Sequence, residues 1–191
     1  ISAVPEEAYV VLEVMAIAGR DIEASQLVLM CDADKASDVL VWIDDATSAG
    51  VIEPNPSNTS QYRFTQALFS EAIHSCMSLA SRTAMHANIG EVLESHFGND
   101  AAAHSAELAR HFFEARALIG SEKAIEYSML AGDAARKASA LDQATRHLQN
   151  ALDAKADYDD ERADIEVQLA QAISGTEKRD LAADHFRSGF D

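Results

Sequence analysis

Apolar positions recur at steps of three and four along most of this chain, with one interruption. Val11, Leu12, Met15 and Ala18 share a helical face, and Gly19 stands where such a helix stops. Pro5-Glu6-Glu7 opens that helix, because proline suits a first turn and the acids favour the positive end of the helix dipole. A second, short helix is predicted from Glu23 to Cys31, with Leu27 and Val28 inward. Asp34 is placed to cap a third. It runs to about Ser48, buries Val39, Leu40, Ile43 and Ala46, and ends at Gly50.

The interruption follows at once. Val51-Ile52-Glu53 and Gln61-Tyr62-Arg63-Phe64 read as two short strands around Pro54-Asn55-Pro56-Ser57-Asn58, whose residue types are those of turns. A helix then runs from about Thr65 to Met77, with Ala67, Leu68, Ala72 and Ile73 on one side. Beyond Arg82 only the helical period remains. Met85, Ile89, Val92 and Leu93 define a helix over 83–96. Ala106, Leu108, Ala109 and Phe112 define another over 101–118 that ends at Gly120, and Ser121-Glu122 starts the next. Three helices, a hairpin and a helix is the order of a winged helix. The expected fold class is therefore mainly α: a winged helix with a small β-hairpin over 1–83, followed by a tetratricopeptide-like α-helical array over 84–191.

That second assignment rests on an internal repeat. Gly132 is followed at offsets of 12, 16 and 19 by Ala144, Leu148 and Ala151, and Ala170 at the same offsets by Ala182, Phe186 and Gly189. A degraded copy keeps Ala124 and Ala131 seven apart. Small residues at these places let two helices of a hairpin approach, while the large one fills the seam. The two clear copies start 38 residues apart instead of the usual 34, and an acidic loop at Tyr158-Asp159-Asp160-Glu161 accommodates the difference. Stacked hairpins of this kind form a concave surface that holds a peptide or another domain. An apolar end face at Asp191 implies further repeats in a longer parent.

Composition narrows the function. The 191 residues carry a net charge of −17, with 12 acidic and 4 basic side chains in 1–83 and no long basic stripe in either half. Phosphate backbones are repelled, which weighs against nucleic acid. The longest apolar run, Tyr9 to Ala18, is short and broken by Glu13, so no membrane span is expected. The start ISAVPEE has no basic signal region, and Ile1 reads as the edge of an excised segment. Cys31 and Cys76 sit in apolar helical stretches and read as buried thiols of a reducing cytoplasm.

Several phrases together resemble one family. VLEVMAIAGRDIEASQL, VLVWIDDATSAGVI, YRFTQALFSEAIHSCM, MHANIGEVLESHF, AELARHFFEA and KAIEYSMLAGDAARKASALDQATRHLQNAL are similar to the segment that follows the nucleotide-binding module in STAND-class signal-transduction ATPases. This is the branch of large bacterial LuxR-type regulators and ATPase-linked adenylyl cyclases. The resemblance implies a non-catalytic regulatory segment that relays nucleotide state and scaffolds partners. Its expected partners are an upstream ATPase domain of the same chain, which binds ATP or ADP, and a protein or peptide on the repeats. In that family an Arg-Phe-x-His-x-Leu phrase brings a His near the nucleotide phosphates. Here Arg63, Phe64 and Leu68 match and Gln66 replaces the His, so Arg63 and Gln66 are the nucleotide-proximal candidates. A Gln donates a hydrogen bond but carries no charge.

Other chemistry leaves little trace. There is no GxxxxGK[ST], GxGxxG, HExxH or GxSxG phrase, so no cofactor is expected within this segment, and nothing marks a catalytic residue. His104 and His111 lie seven apart on one predicted helix but lack partners at zinc spacing. Asp159-Asp160-Glu161 lacks the glycine and spacing of a calcium loop. The alternative function is a DNA-binding winged-helix transcription factor with a helical dimerisation or effector region. Its reading helix would be KASDVLVWIDDATSAG, where Lys35 faces Asp38, Asp44 and Asp45, and its wing would offer Arg63. Trp42 reads as a half-buried interface residue.

Overall fold

Steps of three and four along the first helix produce a fully buried face. Val11, Leu12, Val14, Met15 and Ile17 in α1 (Tyr9–Ala18) are all at most 2 % exposed. A single 3-10 turn, Glu6–Ala8, precedes α1, and Gly19 ends it in the left-handed conformation (φ 67°) that glycine adopts without penalty. The computed structural model describes residues 4–19, 21–31, 36–155 and 160–174. It is mainly helical, with a small three-stranded antiparallel sheet. The chain divides into two compact units, Ile1–Val92 and Leu93–Asp191.

The first unit continues with β1 (Ile22–Glu23), α2 (Ala24–Met30), α3 (Ala36–Ser48), β2 (Ile52–Asn55), β3 (Asn58–Phe64) and α4 (Ala67–Cys76). The strands run in the order β1-β3-β2, with Ile22 opposite Tyr62, and Ile52 and Glu53 opposite Phe64 and Arg63. The turn is tighter than the five residues expected: β2 extends through Pro54 and Asn55, with a register shift there, and only Pro56 and Ser57 lie between the strands. Asn55 holds this turn by accepting from the Ser57 backbone N–H at 2.7 Å. The third strand was not anticipated. Its two residues are too few to show alternation, and only pairing with β3 makes them a strand.

The core of this unit is formed by α1 with Leu27, Met30, Val39, Ile43, Ala46, Ile52 and Ile73. Leu40, expected inside, is 49 % exposed, because the buried stripe of α3 steps from Val39 to Ile43 to Ala46 and passes it by. Val28 is half-buried, and Asp34 and Lys35 lie outside the described residues. Cys31 is buried, which pushes its thiol up to about 12, whereas Cys76 is exposed at the end of α4, contrary to expectation.

α5 (Leu79–Phe97) starts earlier than its apolar pattern indicates, and the division between the units falls within it. The second unit continues through a 3-10 segment, Gly98–His104, then α6 (Ser105–Ile119), α7 (Glu122–Lys137), α8 (Leu141–Ala154) and α9 (Asp160–Ser174). Each of α6 to α9 packs on the helix before or after it in sequence. In α6 the buried set is Ser105, Leu108, Ala109, His111, Phe112 and Ala115, while Ala106 is exposed. Leu108, Ala109 and Phe112 are buried as expected; Ala106 lies at the edge of the face they form, and 98–104, expected as a break and the first turn of this helix, is a 3-10 segment.

The seam between α7 and α8 follows the repeat. Ala144, Leu148 and Ala151 are at most 1 % exposed. A Cβ added at Gly132 would meet Leu148 Cγ at 2.8 Å and Cδ2 at 2.9 Å, so the absence of a side chain there is what admits the leucine. The corresponding Ala170 is fully buried, while Ala182, Phe186 and Gly189 lie outside the described residues. α7 ends with two backbone bonds, Ser139 N–H to Arg136 and Ala140 N–H to Ala135, and Ser139 takes the left-handed position (φ 59°).

Candidate functional site

The two residues singled out near the hairpin behave differently. Arg63 lies on β3 directly opposite Glu53 on β2, and its Nε and Nη2 donate to Glu53 Oε1 at 3.0 and 2.7 Å. This cross-strand pair is about two-fifths exposed, so it is screened and contributes at most about 1 kcal/mol. It nevertheless commits the guanidinium to a carboxylate of its own sheet. Gln66 precedes α4 in extended conformation (φ −140°, ψ 136°), is exposed, and makes no capping hydrogen bond with its side chain. Leu68 is 66 % exposed and not part of the buried face expected of it.

The histidines separate. His104 is exposed at the end of the 3-10 segment and stacks on Phe97, with ring centroids 3.7 Å apart. His111 is fully buried in α6, where Arg110 Nη2 donates to its Nε2 at 2.9 Å. Among the described residues no group of three or more His, Cys, Asp or Glu is arranged to hold a metal ion. None of the helices described is long and apolar enough to cross a membrane. Tyr158 and Asp159 lie outside the described residues, and Glu161 is engaged by Lys155 at 2.6 Å.

The concave feature lies on α7. Its small residues Ala124, Ser128, Ala131, Gly132 and Ala135 are buried against neighbouring helices. Beside them Ile125, itself buried, together with Met129 and Leu130 lines a groove of about 680 Å³. Leu130 is 39 % exposed and Met129 half-buried, so this is accessible apolar surface. Glu122 and Glu126, one turn apart and both exposed, stand along it. Lys155 and Glu161 complete the lining at the α8–α9 junction. Arg162 caps the end of α8 by donating to the carbonyls of Leu152 (3.2 Å), which also accepts the Lys155 backbone N–H, and Lys155 (2.7 Å).

Nearby, Tyr127 Oη donates to Glu94 Oε1 at 2.9 Å, Lys123 pairs with the same carboxylate, and Phe112 stacks on Tyr127 at 5.4 Å. Burial together with the Glu94 carboxylate pushes the Tyr127 phenol up to about 12. These contacts fix the N-terminal half of α7, the part that carries the groove.

Sequence reading located a concave surface on the helical array without naming residues. No local signal separates the groove from the seam: Ile125, Met129 and Gly132 fall at i, i+4 and i+7, one stripe of the helix. Comparison of the chain with models of known protein families, with curated proteins and with solved structures finds no match.

Proposed function

We propose that this chain is a non-catalytic regulatory and protein-interaction segment of a larger STAND-class ATPase signal transducer or transcriptional regulator, acting in the cytoplasm. In this reading residues 1–83 are a winged-helix relay that senses the nucleotide state of an upstream ATPase domain, and residues 84–191 are a tetratricopeptide-like scaffold that holds a partner. The observation that carries it is the α7–α8 seam. Gly132, Ala144, Leu148 and Ala151 meet there in the small-small-large-small roles that the repeat assigns them. The order of α1 to α3, the hairpin and α4 supports the first half of the reading, as does the addition of β1 to that hairpin.

ATP or ADP would be held upstream, and this segment would contribute Gln66 and Arg63 near it. Gln66 suits that role better. Its amide is exposed and uncommitted to capping, whereas Arg63 is engaged with Glu53. The test is made in the full-length parent. Gln66→His should strengthen nucleotide retention, measured as the rate at which a fluorescent ADP analogue leaves the purified protein. An unchanged off-rate would remove Gln66 from the nucleotide site, and an absence of nucleotide from the parent would remove the relay altogether.

A further inference from the structure

We infer that the α7 groove is the docking site for a cationic amphipathic peptide segment of a partner, with leucine-like side chains against Ile125, Met129 and Leu130 and Lys or Arg against Glu122 and Glu126. This names the partner chemistry of the scaffold proposed above and rests on that reading of residues 84–191. Two properties of the groove select the occupant. Its apolar lining is partly exposed and large enough, at about 680 Å³, for more than one side chain. The charge around it is negative: Glu122 and Glu126 are exposed carboxylates, while the lining's one cation, Lys155, is only 14 % exposed and is matched by Glu161. An acidic peptide or a phosphate backbone would meet like charge, whereas a basic segment gains in both encounter rate and register.

Overall acidity offers a competing explanation for any basic ligand, so the experiment separates local from general attraction. The probe is a fluorescein-labelled peptide of alternating leucine and lysine blocks, followed by anisotropy on the 191-residue chain at 150 mM salt, where charges beyond about 8 Å are screened. Two further probes replace all lysines by glutamate, or all leucines by serine. Saturable binding of the first probe alone is expected. Glu122→Gln/Glu126→Gln should weaken it roughly three- to tenfold, and Leu130→Ser by a similar factor. Glu91→Gln/Glu114→Gln removes the same charge from exposed positions that do not line the groove, and should change affinity by no more than about 1.5-fold. Unchanged thermal melting of each variant establishes that the fold is intact.

Equal losses in the two glutamine pairs, or binding of the serine probe, would overturn the assignment in favour of diffuse charge attraction. No binding by the lysine probe would also overturn it. Concentration-dependent dimers broken by Leu130→Ser would make the occupant a second copy of this chain. None of these results depends on nucleotide. A parent without an ATPase domain would sink the relay and leave the groove standing, and a groove that fails would leave the relay untouched.

Discussion

His147 on α8 carries a consequence that belongs to the single residue. Its Nδ1 is buried without a hydrogen-bond partner, and burial, helped by the positive charge of Arg146, holds its proton affinity below the ordinary value for histidine. The unfolded chain therefore takes up this proton first, near pH 6.5, while the folded chain resists it. Stability from the neutral ring is complete above that pH and is lost as the pH falls below it. Urea unfolding at pH 7.5 and pH 5 should show a smaller acid-side loss for His147→Gln than for the parent sequence. An identical pH dependence for the two would mean that the ring is protonated as easily folded as unfolded. None of this was visible in the sequence, where His147 is one of seven histidines in an amphipathic helix.

At the scale of elements, the α7–α8 hairpin is where sequence and structure agree most closely, and it yields the sharpest test of packing. Gly132 costs α7 about 1 kcal/mol of helix propensity relative to alanine. Its replacement by alanine would nevertheless place a methyl within 3 Å of Leu148, which is 1 % exposed and has little room to give. Overpacking of this kind costs about 1–3 kcal/mol, so Gly132→Ala should be destabilising by roughly 1 kcal/mol in urea titration. In a Leu148→Ala background the same substitution should become stabilising, because the methyl then enters the space the leucine left. A gain of the same size in both backgrounds would show that the two residues do not share a seam.

Legibility was uneven for reasons that are physical. Long amphipathic helices and proline- and asparagine-rich turns declare themselves locally, so α1, α3, the hairpin, α7 and α8 were all anticipated. What failed depends on distant partners or on where the edge of a helical face falls. Ile22–Glu23 is a strand only because β3 lies beside it, and Ala106 is exposed because the buried face of α6 is centred on Leu108 and Phe112 and passes it by. The groove was half legible. Stacked hairpins lead one to expect a concave surface, but Ile125 and Met129 share a helical stripe with Gly132, so the period alone does not mark them as groove residues.

Over the whole molecule, charge is the property that most constrains what this chain can bind. The net −17 is spread over both halves, and among the described residues of 1–83 the cations are Arg63 and Arg82. Arg63 is paired with Glu53, and Arg82 Nη1 lies 3.4 Å from His74 Nδ1. On α3, the helix a DNA-reading fold of this order would insert, Ser37, Leu40, Val41 and Asp44 form the exposed side. That face is apolar and acidic. Duplex binding gains its affinity from cations that neutralise phosphates, each steepening the dependence on salt, and this surface supplies almost none. The chain should therefore leave a duplex unretarded in a gel at about 100 mM salt, and lowering the salt several-fold should not reveal a specific band. A salt-sensitive shift that Arg63→Ala abolishes would reverse the conclusion, since it would require the arginine to exchange Glu53 for a phosphate. In that event the exposed Leu40 and Val41 would have to lie against base edges, and Leu40→Ser would weaken the same shift.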